Sequence, residues 1–266
     1  MMRLLKIIFL FLSIFLCIFS LAFLRCLFML SSARKKALAA YTVHFFTKIF
    51  AFILGIEVKV TGEKELLKKR GVFFICNHLS YIDGVVANSL SPLVFIGKTE
   101  MRKWPFLGTL IFLSNTIFVN RISSSNIHKE VGKIVSFLAS KVNVILFPEG
   151  TSTDGKTLLP FKSSFFAAPL AAKCEIVPLA IKYKEINSEK LTDKNKDLIY
   201  WYGDMELFSH LLGVLKLRRI TVEVNVCKPI HVDKTGDEEN HSQRKHLCDI
   251  CRRAIESHLT PAEKAR

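Results

Sequence analysis

The sequence predicts an α/β domain, a largely parallel sheet flanked by helices, attached to an N-terminal membrane helix module. Three observations carry that expectation. Short apolar runs bounded by turn residues recur along the chain, most clearly Gly71-Val72-Phe73-Phe74-Ile75-Cys76 and Val142-Asn143-Val144-Ile145-Leu146-Phe147, and such runs read as buried strands. Stretches of helical character alternate with them, the pattern of βαβ units. Ahead of both lies a nearly charge-free apolar stretch. With 266 residues and 50% hydrophobic content, the chain has room for one such domain and an attachment. The expected division is residues 1–55 as membrane-anchoring helices and residues 56–266 as the domain with a polar C-terminal tail.

From Ile7 to Leu24 only Ser13, Cys17 and Ser20 interrupt Ile, Leu, Phe and Ala. That length lies at the lower limit for a spanning helix. A cleaved signal peptide competes, because Arg3 and Lys6 form a basic start, but Leu24-Arg25-Cys26 offers no small-x-small cleavage site. From Ala37 to Leu54, residues Val43, Phe46, Phe50 and Ile53 share one helical face, with His44 and Lys48 on the other side. This fits an interfacial helix, the return arm of a helical hairpin, or a helix packed on a core.

In the domain, strands are expected at about residues 57–62, 72–77, 92–97, 115–120, 143–147 and 175–183, and helices at about 82–89, 126–139 and 162–172. Asn187 to Lys196 is a charged loop. Asp197–Tyr202 and Ile220–Cys227 read as two further strands, and the last thirty residues as a polar, helical tail without chemical motifs.

A formal charge of +15 and a sequence pI near 9.6 imply attraction to polyanions. Zinc-finger spacing, a basic zipper and an aromatic RNA-binding signature are all missing, so no nucleic acid is expected; an anionic bilayer suits an apolar N-terminus better. The seven cysteines do not form a disulfide framework, and Cys248-Asp249-Ile250-Cys251 is a lone C-x-x-C that fits a helix with one cysteine buried. No metal site is expected.

Two motifs about seventy residues apart carry the chemistry. Asn77-His78-Leu79-Ser80-Tyr81-Ile82-Asp83 follows one apolar run directly, and Phe147-Pro148-Glu149-Gly150-Thr151 ends another. Both clusters therefore sit at strand C-termini, where open α/β sheets build ligand sites. Of the eight histidines, only His78 has an aspartate five positions on. Between and beyond them lie Gly97-Lys98-Thr99-Glu100-Met101-Arg102-Lys103-Trp104-Pro105-Phe106-Leu107-Gly108, then Phe118-Val119-Asn120-Arg121, then Val177-Pro178-Leu179-Ala180-Ile181. In this order and spacing the set resembles the glycerolipid acyltransferase family typified by lysophosphatidic acid acyltransferases, over about residues 57–183.

That resemblance implies a glycerol-3-phosphate acyltransferase-like fold. It also implies transfer of a fatty acyl group from acyl-CoA or acyl carrier protein, as co-substrate, to a membrane lysophospholipid, without a cofactor. Such transfer needs a base for the hydroxyl and donors for the tetrahedral oxyanion. His78 is the natural base, with Asp83 fixing its tautomer. Ser80-Tyr81-Ile82-Asp83 also reads as a capping box, a purely structural use of the same aspartate. Cys76 stands on the same strand face as His78, either as a covalent nucleophile or as a small buried residue.

By the same resemblance Glu149, Gly150 and Thr151 belong to the acceptor-binding turn, with Lys98, Arg102 and Arg121 as anion contacts; a plain turn and ordinary surface charges are the competing readings. Leu159–Ala168 either lines the acyl path or packs on the core. One departure matters. Lysophosphatidic acid acyltransferases commonly carry Arg after the Thr, where this chain has Ser152, and a missing guanidinium is a missing bidentate phosphate clamp. Lysophosphatidic acid is the leading acceptor, and another lysophospholipid or a lyso-aminolipid stands close behind. A thioesterase would lack its nucleophile elbow here, and a non-catalytic membrane-binding module would not need His78 at all.

Overall fold

The structure, a computed structural model, describes residues 2–27, 29–104, 107–119, 127–232 and 240–259. Two long helices come first: α1 (Met2–Cys26) and α2 (Ser32–Leu54). Ser31 caps α2 by accepting the Arg34 N–H on its side chain. Gly55 ends it at φ 71°, where a Cβ would stand 2.1 Å from the Arg218 carbonyl oxygen, so only glycine fits.

There follow β1 (Ile56–Gly62), β2 (Phe73–Cys76), α3 (Ile82–Leu90), β3 (Leu93–Lys98), α4 (Leu107–Leu113), β4 (Ile117–Val119), α5 (Ile127–Ala139), β5 (Asn143–Leu146) and α6 (Ala167–Ala172). The chain continues through β6 (Ile176–Ile186), β7 (Glu189–Lys190), α7 (Leu207–Val214), β8 (Ile220–Val226) and α8 (Asn240–Leu259).

The strands form one sheet in the order β1-β8-β6-β2-β5-β3-β4, with β7 on the side of β6. From β6 through β4 every neighbouring pair is parallel; β8 runs antiparallel to β6, and β1 parallel to β8. The largely parallel sheet expected from the apolar runs is therefore present. Alternate residues of the inner strands β2, β5 and β6 feed two cores. On one face Phe74, Cys76, Ile145, Leu179 and Ile181 pack with Ile82 and Val86 of α3 and Val214 of α7. On the other, Phe73, Ile75, Val144 and Leu146 pack with Ile134 and Leu138 of α5, Ala168 of α6 and Cys251 and Ile255 of α8. Helices on both faces are what a parallel sheet requires.

α1 turns only a narrow stripe inward: Leu10 joins the sheet-face core, while Cys17 and Leu21 meet Ala39 and Phe46 of α2. The rest is apolar and open, with Leu4, Ile8, Phe9, Phe11, Leu12, Phe15, Phe19 and Phe23 all exposed. A helix of 25 residues spans about 37 Å, and both α1 and α2 are long and apolar enough to cross a membrane. α2 is the return arm of the hairpin and also packs on α3; the Val43–Phe46–Phe50 face meets α1 and α4.

Two expectations need correction. Asp197–Tyr202 is no strand: a 3-10 turn spans Lys196–Leu198, and both Ile199 and Tyr200 donate their N–H back to the Lys196 carbonyl. The segment is apolar because it covers other residues, with Ile199 and Tyr200 buried. The polar tail is helical, as expected, but α8 also buries Leu247, Cys248, Cys251 and Ile255 in one stripe, so both cysteines of the C-x-x-C are core residues.

Candidate active site

β2 and β5 lie side by side, Ile75 opposite Leu146, so the two motifs leave the sheet at adjacent strand ends. The polypeptide diverges there, and side chains take over from the ladder. Asn77 replaces a backbone pair: its Oδ1 accepts the Ile181 N–H at 2.8 Å and its Nδ2 donates to the Ile181 carbonyl at 3.0 Å. This gives both ends of a buried amide a partner and ties the end of β2 to β6.

After Asn77 the chain turns. A straight strand would separate His78 from Asp83, but the turn at Leu79-Ser80 leads into α3 and swings the aspartate back. His78 Nδ1 and Asp83 Oδ2 stand 2.9 Å apart. The same Oδ2 accepts the backbone N–H of Leu79 at 2.6 Å and of Ser80 at 2.9 Å. The cap and the dyad are thus one arrangement, since the carboxylate that reaches back to the Ser80 N–H also holds the imidazole. Asp83 is 0% exposed. Its other oxygen, Oδ1, accepts the hydroxyl of Tyr183 on β6 at 2.7 Å. With Nδ1 committed to Asp83, the nitrogen left for chemistry is Nε2, on a side chain 21% exposed. The imidazole stacks on Phe147, centroids 4.3 Å apart and planes inclined by 24°.

The second motif grips the first. Glu149 is 4% exposed; its Oε1 accepts the His78 N–H at 2.7 Å and its Oε2 the Leu159 N–H at 3.0 Å. Burial holds its carboxyl above the ordinary value, opposed by these two backbone donors and by His78. The Gly150 N–H closes the turn onto the Phe147 carbonyl, with Gly150 at φ 81°. Further on, the Thr153 N–H donates to the His78 carbonyl at 3.0 Å, so the loop folds across the histidine. Thr151 lies exposed on this loop and Ser152 is buried, 8% exposed.

Cys76 is wholly enclosed in β2. Burial first, then the charges of Asp83 and Glu149, hold its thiol well above the ordinary value, so it stays protonated and packs as a small apolar residue. Lys98 ends β3, exposed. Arg102 lays its guanidinium on the rings of Phe112 and Phe118, at 4.8 and 5.4 Å. Arg121 lies outside the described residues.

Sequence reasoning missed three contributors. Tyr183 and Asn77 act across the sheet, and no local pattern marks such contacts. The third is the segment between β7 and α7. There the Trp201 N–H donates to the Leu79 carbonyl at 3.0 Å, and Lys196 Nζ donates to the Asp154 carbonyl at 3.0 Å. One excursion thereby braces both motif-bearing loops.

Residues 57–182 match the family model described as Acyltransferase. A lyso-ornithine lipid O-acyltransferase of Rhizobium meliloti is 30% identical over 226 residues, covering 82% of this chain and 75% of that protein. The 1-acyl-sn-glycerol-3-phosphate acyltransferase of Escherichia coli is 26% identical, covering 95% of this chain and 90% of its own length. The crystal structure of the 1-acyl-sn-glycerophosphate acyltransferase of Thermotoga maritima shares the fold, with a TM-score of 0.60 at 21% identity, covering 99% of this chain and 100% of that one. With a relative of this identity matched over most of both lengths, the chain belongs to the glycerolipid acyltransferase family and is an acyltransferase of lipid biosynthesis.

Proposed function

We propose that this acyltransferase moves a fatty acyl group from a thioester, acyl-CoA or acyl carrier protein, onto the free hydroxyl of a lysolipid, with His78 as general base. The observation that carries the proposal is the orientation of His78. Asp83 accepts a hydrogen bond from Nδ1, which leaves Nε2 as the nitrogen able to take a proton, on a side chain 21% exposed. Nε2 takes the proton of the lysolipid hydroxyl as its oxygen attacks the thioester carbonyl carbon. The tetrahedral oxyanion then collapses, the C–S bond breaks, and the proton passes to the departing thiolate. Asp83 compensates the imidazolium formed in between. Direct attack needs no protein nucleophile, in keeping with the buried, protonated Cys76.

Two observations favour a lyso-aminolipid acceptor such as lyso-ornithine lipid. Relatives with that name are 30% and 32% identical to this chain, and Ser152 stands where lysophosphatidic acid acyltransferases commonly carry the arginine that grips a phosphate monoester. Lysophosphatidic acid is the second reading, supported by the Escherichia coli relative that matches nearly the whole chain. Thr151, on the loop that crosses His78, and Lys98, at the adjacent strand end, are the headgroup contacts in either case, joined by Arg121 and by the Gly150 turn. The exposed apolar faces of α1 and α2 seat the protein in the bilayer that supplies the acceptor, with the domain on the cytoplasmic side.

Membranes carrying the protein, given acyl-CoA or acyl carrier protein donors and a panel of lysolipids, are expected to acylate lyso-ornithine lipid with the highest kcat/KM. Loss of a general base typically costs 10²–10⁴-fold, so His78→Ala should nearly abolish transfer. A folded His78→Ala protein with wild-type rates would end the mechanism, and a strong preference for lysophosphatidic acid would select the second acceptor.

A further inference from the structure

We propose that Tyr183 is a positioning residue of the catalytic dyad: its hydroxyl holds the Asp83 carboxylate in the plane in which Oδ2 serves His78. This rests on the general-base reading above. The four donors around the carboxylate are unevenly shared. Oδ2 accepts His78 Nδ1 and the N–H groups of Leu79 and Ser80, whereas Oδ1 receives the Tyr183 hydroxyl at 2.7 Å. The three on Oδ2 are local, within five residues of Asp83, and move with the turn. Tyr183 is 100 residues away on β6, part of the rigid sheet beside β2. It is the donor that fixes the aspartate to the scaffold rather than to the turn.

The surroundings keep this contact dry and neutral on the tyrosine side. Asp83 is 0% and Tyr183 2% exposed, so water cannot replace the hydroxyl. Burial, and then the charge of Asp83, hold the phenol well above its ordinary value, so it remains a donor throughout the working pH range. Tyr200 packs against it, centroids 5.8 Å apart. The titratable groups facing Asp83 are His78 beyond β2, Cys76 within it, Glu149 beyond β5, Tyr183 on β6 and Tyr200 from the following excursion. In this set Tyr183 and His78 are the two side chains that donate to the carboxylate. A carboxylate whose charge is drawn partly toward Oδ1 attracts the imidazolium less strongly. Removing the phenol would therefore tighten the hold of Asp83 on the imidazole.

The test is Tyr183→Phe in the full-length membrane-bound enzyme, compared with Asp83→Asn and the double variant. Losing a hydrogen bond to a buried charge lowers turnover by roughly ten- to a hundred-fold. The expected result is such a fall in kcat, with the acceptor KM within about two-fold and the acid limb of the kcat/KM profile moved to higher pH. In the Asp83→Asn background, Tyr183→Phe should cost little more, because the two act through one contact. Site-specific fluorotyrosine at 183, nearly isosteric and a stronger donor, should shift the limb the other way and keeps the question open to measurement if the phenylalanine variant does not fold. A Tyr183→Phe enzyme with unchanged turnover and an unmoved limb, or losses that multiply in the double variant, overturns the proposal. Impaired Asp83→Asn alongside normal Tyr183→Phe would remove Tyr183 alone, whereas normal Asp83→Asn would remove the dyad itself.

Discussion

Replacing Glu149 by glutamine exchanges one carboxylate oxygen for an amide nitrogen and leaves the shape of the side chain intact. In the native site each oxygen accepts a backbone N–H, one from His78 at 2.7 Å and one from Leu159 at 3.0 Å. A glutamine can serve only one of them; its NH₂ group faces the other donor. An orphaned buried N–H costs about 1–3 kcal/mol, and release of a buried charge, whose burial raises the carboxyl pKa, offsets part of that. A net loss of about 1–2 kcal/mol corresponds to roughly 2–8 °C in Tm for a chain of this size. If the amide keeps Leu159 and releases His78, the backbone at His78 loosens, and under the proposed general-base mechanism kcat should fall on the order of ten-fold or more.

The pH dependence has a definite sign. Because the folded-state pKa of Glu149 is raised, its protonation contributes stability that is complete below the ordinary carboxyl value and is lost as pH rises through the folded value. Glutamine does not titrate. Relative to Glu149→Gln, the wild type should therefore lose stability as pH rises across that window. Thermal melts at several pH values, paired with acyl-transfer kinetics, measure both effects. An unchanged Tm together with an unchanged kcat would refute the clamp. A KM raised ten-fold at constant kcat would instead mean that Glu149 works by contacting the acceptor.

Cys76→Ser should keep turnover within a few-fold and lower Tm, since the thiol only packs; a hydroxylamine-sensitive acyl adduct on Cys76 would overturn direct transfer. Deleting residues 1–30 should weaken membrane association without abolishing it, because α2 and the basic surface remain, and salt should then release the protein, exposed charges being screened within about 10 Å at 0.1 M ionic strength. Sedimentation with vesicles at low and high salt reads this, and a truncated protein soluble at low salt would contradict it. Ser152→Arg should raise the kcat/KM ratio for lysophosphatidic acid over lyso-ornithine lipid by about ten-fold, the worth of one charge-assisted hydrogen bond; an unchanged ratio would place headgroup selection elsewhere.

The inner sheet was legible because its strands are buried on both faces and so read as unbroken apolar runs, Phe73–Cys76 and Asn143–Leu146 above all. The dyad was legible because its two members lie on one turn. What local pattern could not supply were contacts between distant segments. Tyr183 reads as one more strand residue until β6 is set beside β2. Ile199-Tyr200-Trp201-Tyr202 has the composition of a strand, yet its apolar character comes from covering the Leu79 turn, and its N–H groups serve Lys196 and Leu79 rather than a ladder. In α8, cysteines at positions 248 and 251 suggest chemistry by their spacing, while their helical stripe with Leu247 and Ile255 marks them as packing.

The edge strand β1 has a consequence for how this protein is made. It joins the sheet through β8, and the paired residues are 164 positions apart, as Thr61 and Asn225 show. At a synthesis rate of about 5–20 residues per second, β1 emerges roughly ten to thirty seconds before its partner exists. During that interval α1 and α2, already complete, are free to engage the bilayer. Under the proposed seating of α1 and α2 in the bilayer, the last strand then closes the sheet against a first strand joined to the preceding helix at Gly55. The helical hairpin is thereby complete well before the sheet, and a chain interrupted before residue 220 would carry both apolar helices with its first strand still waiting for β8.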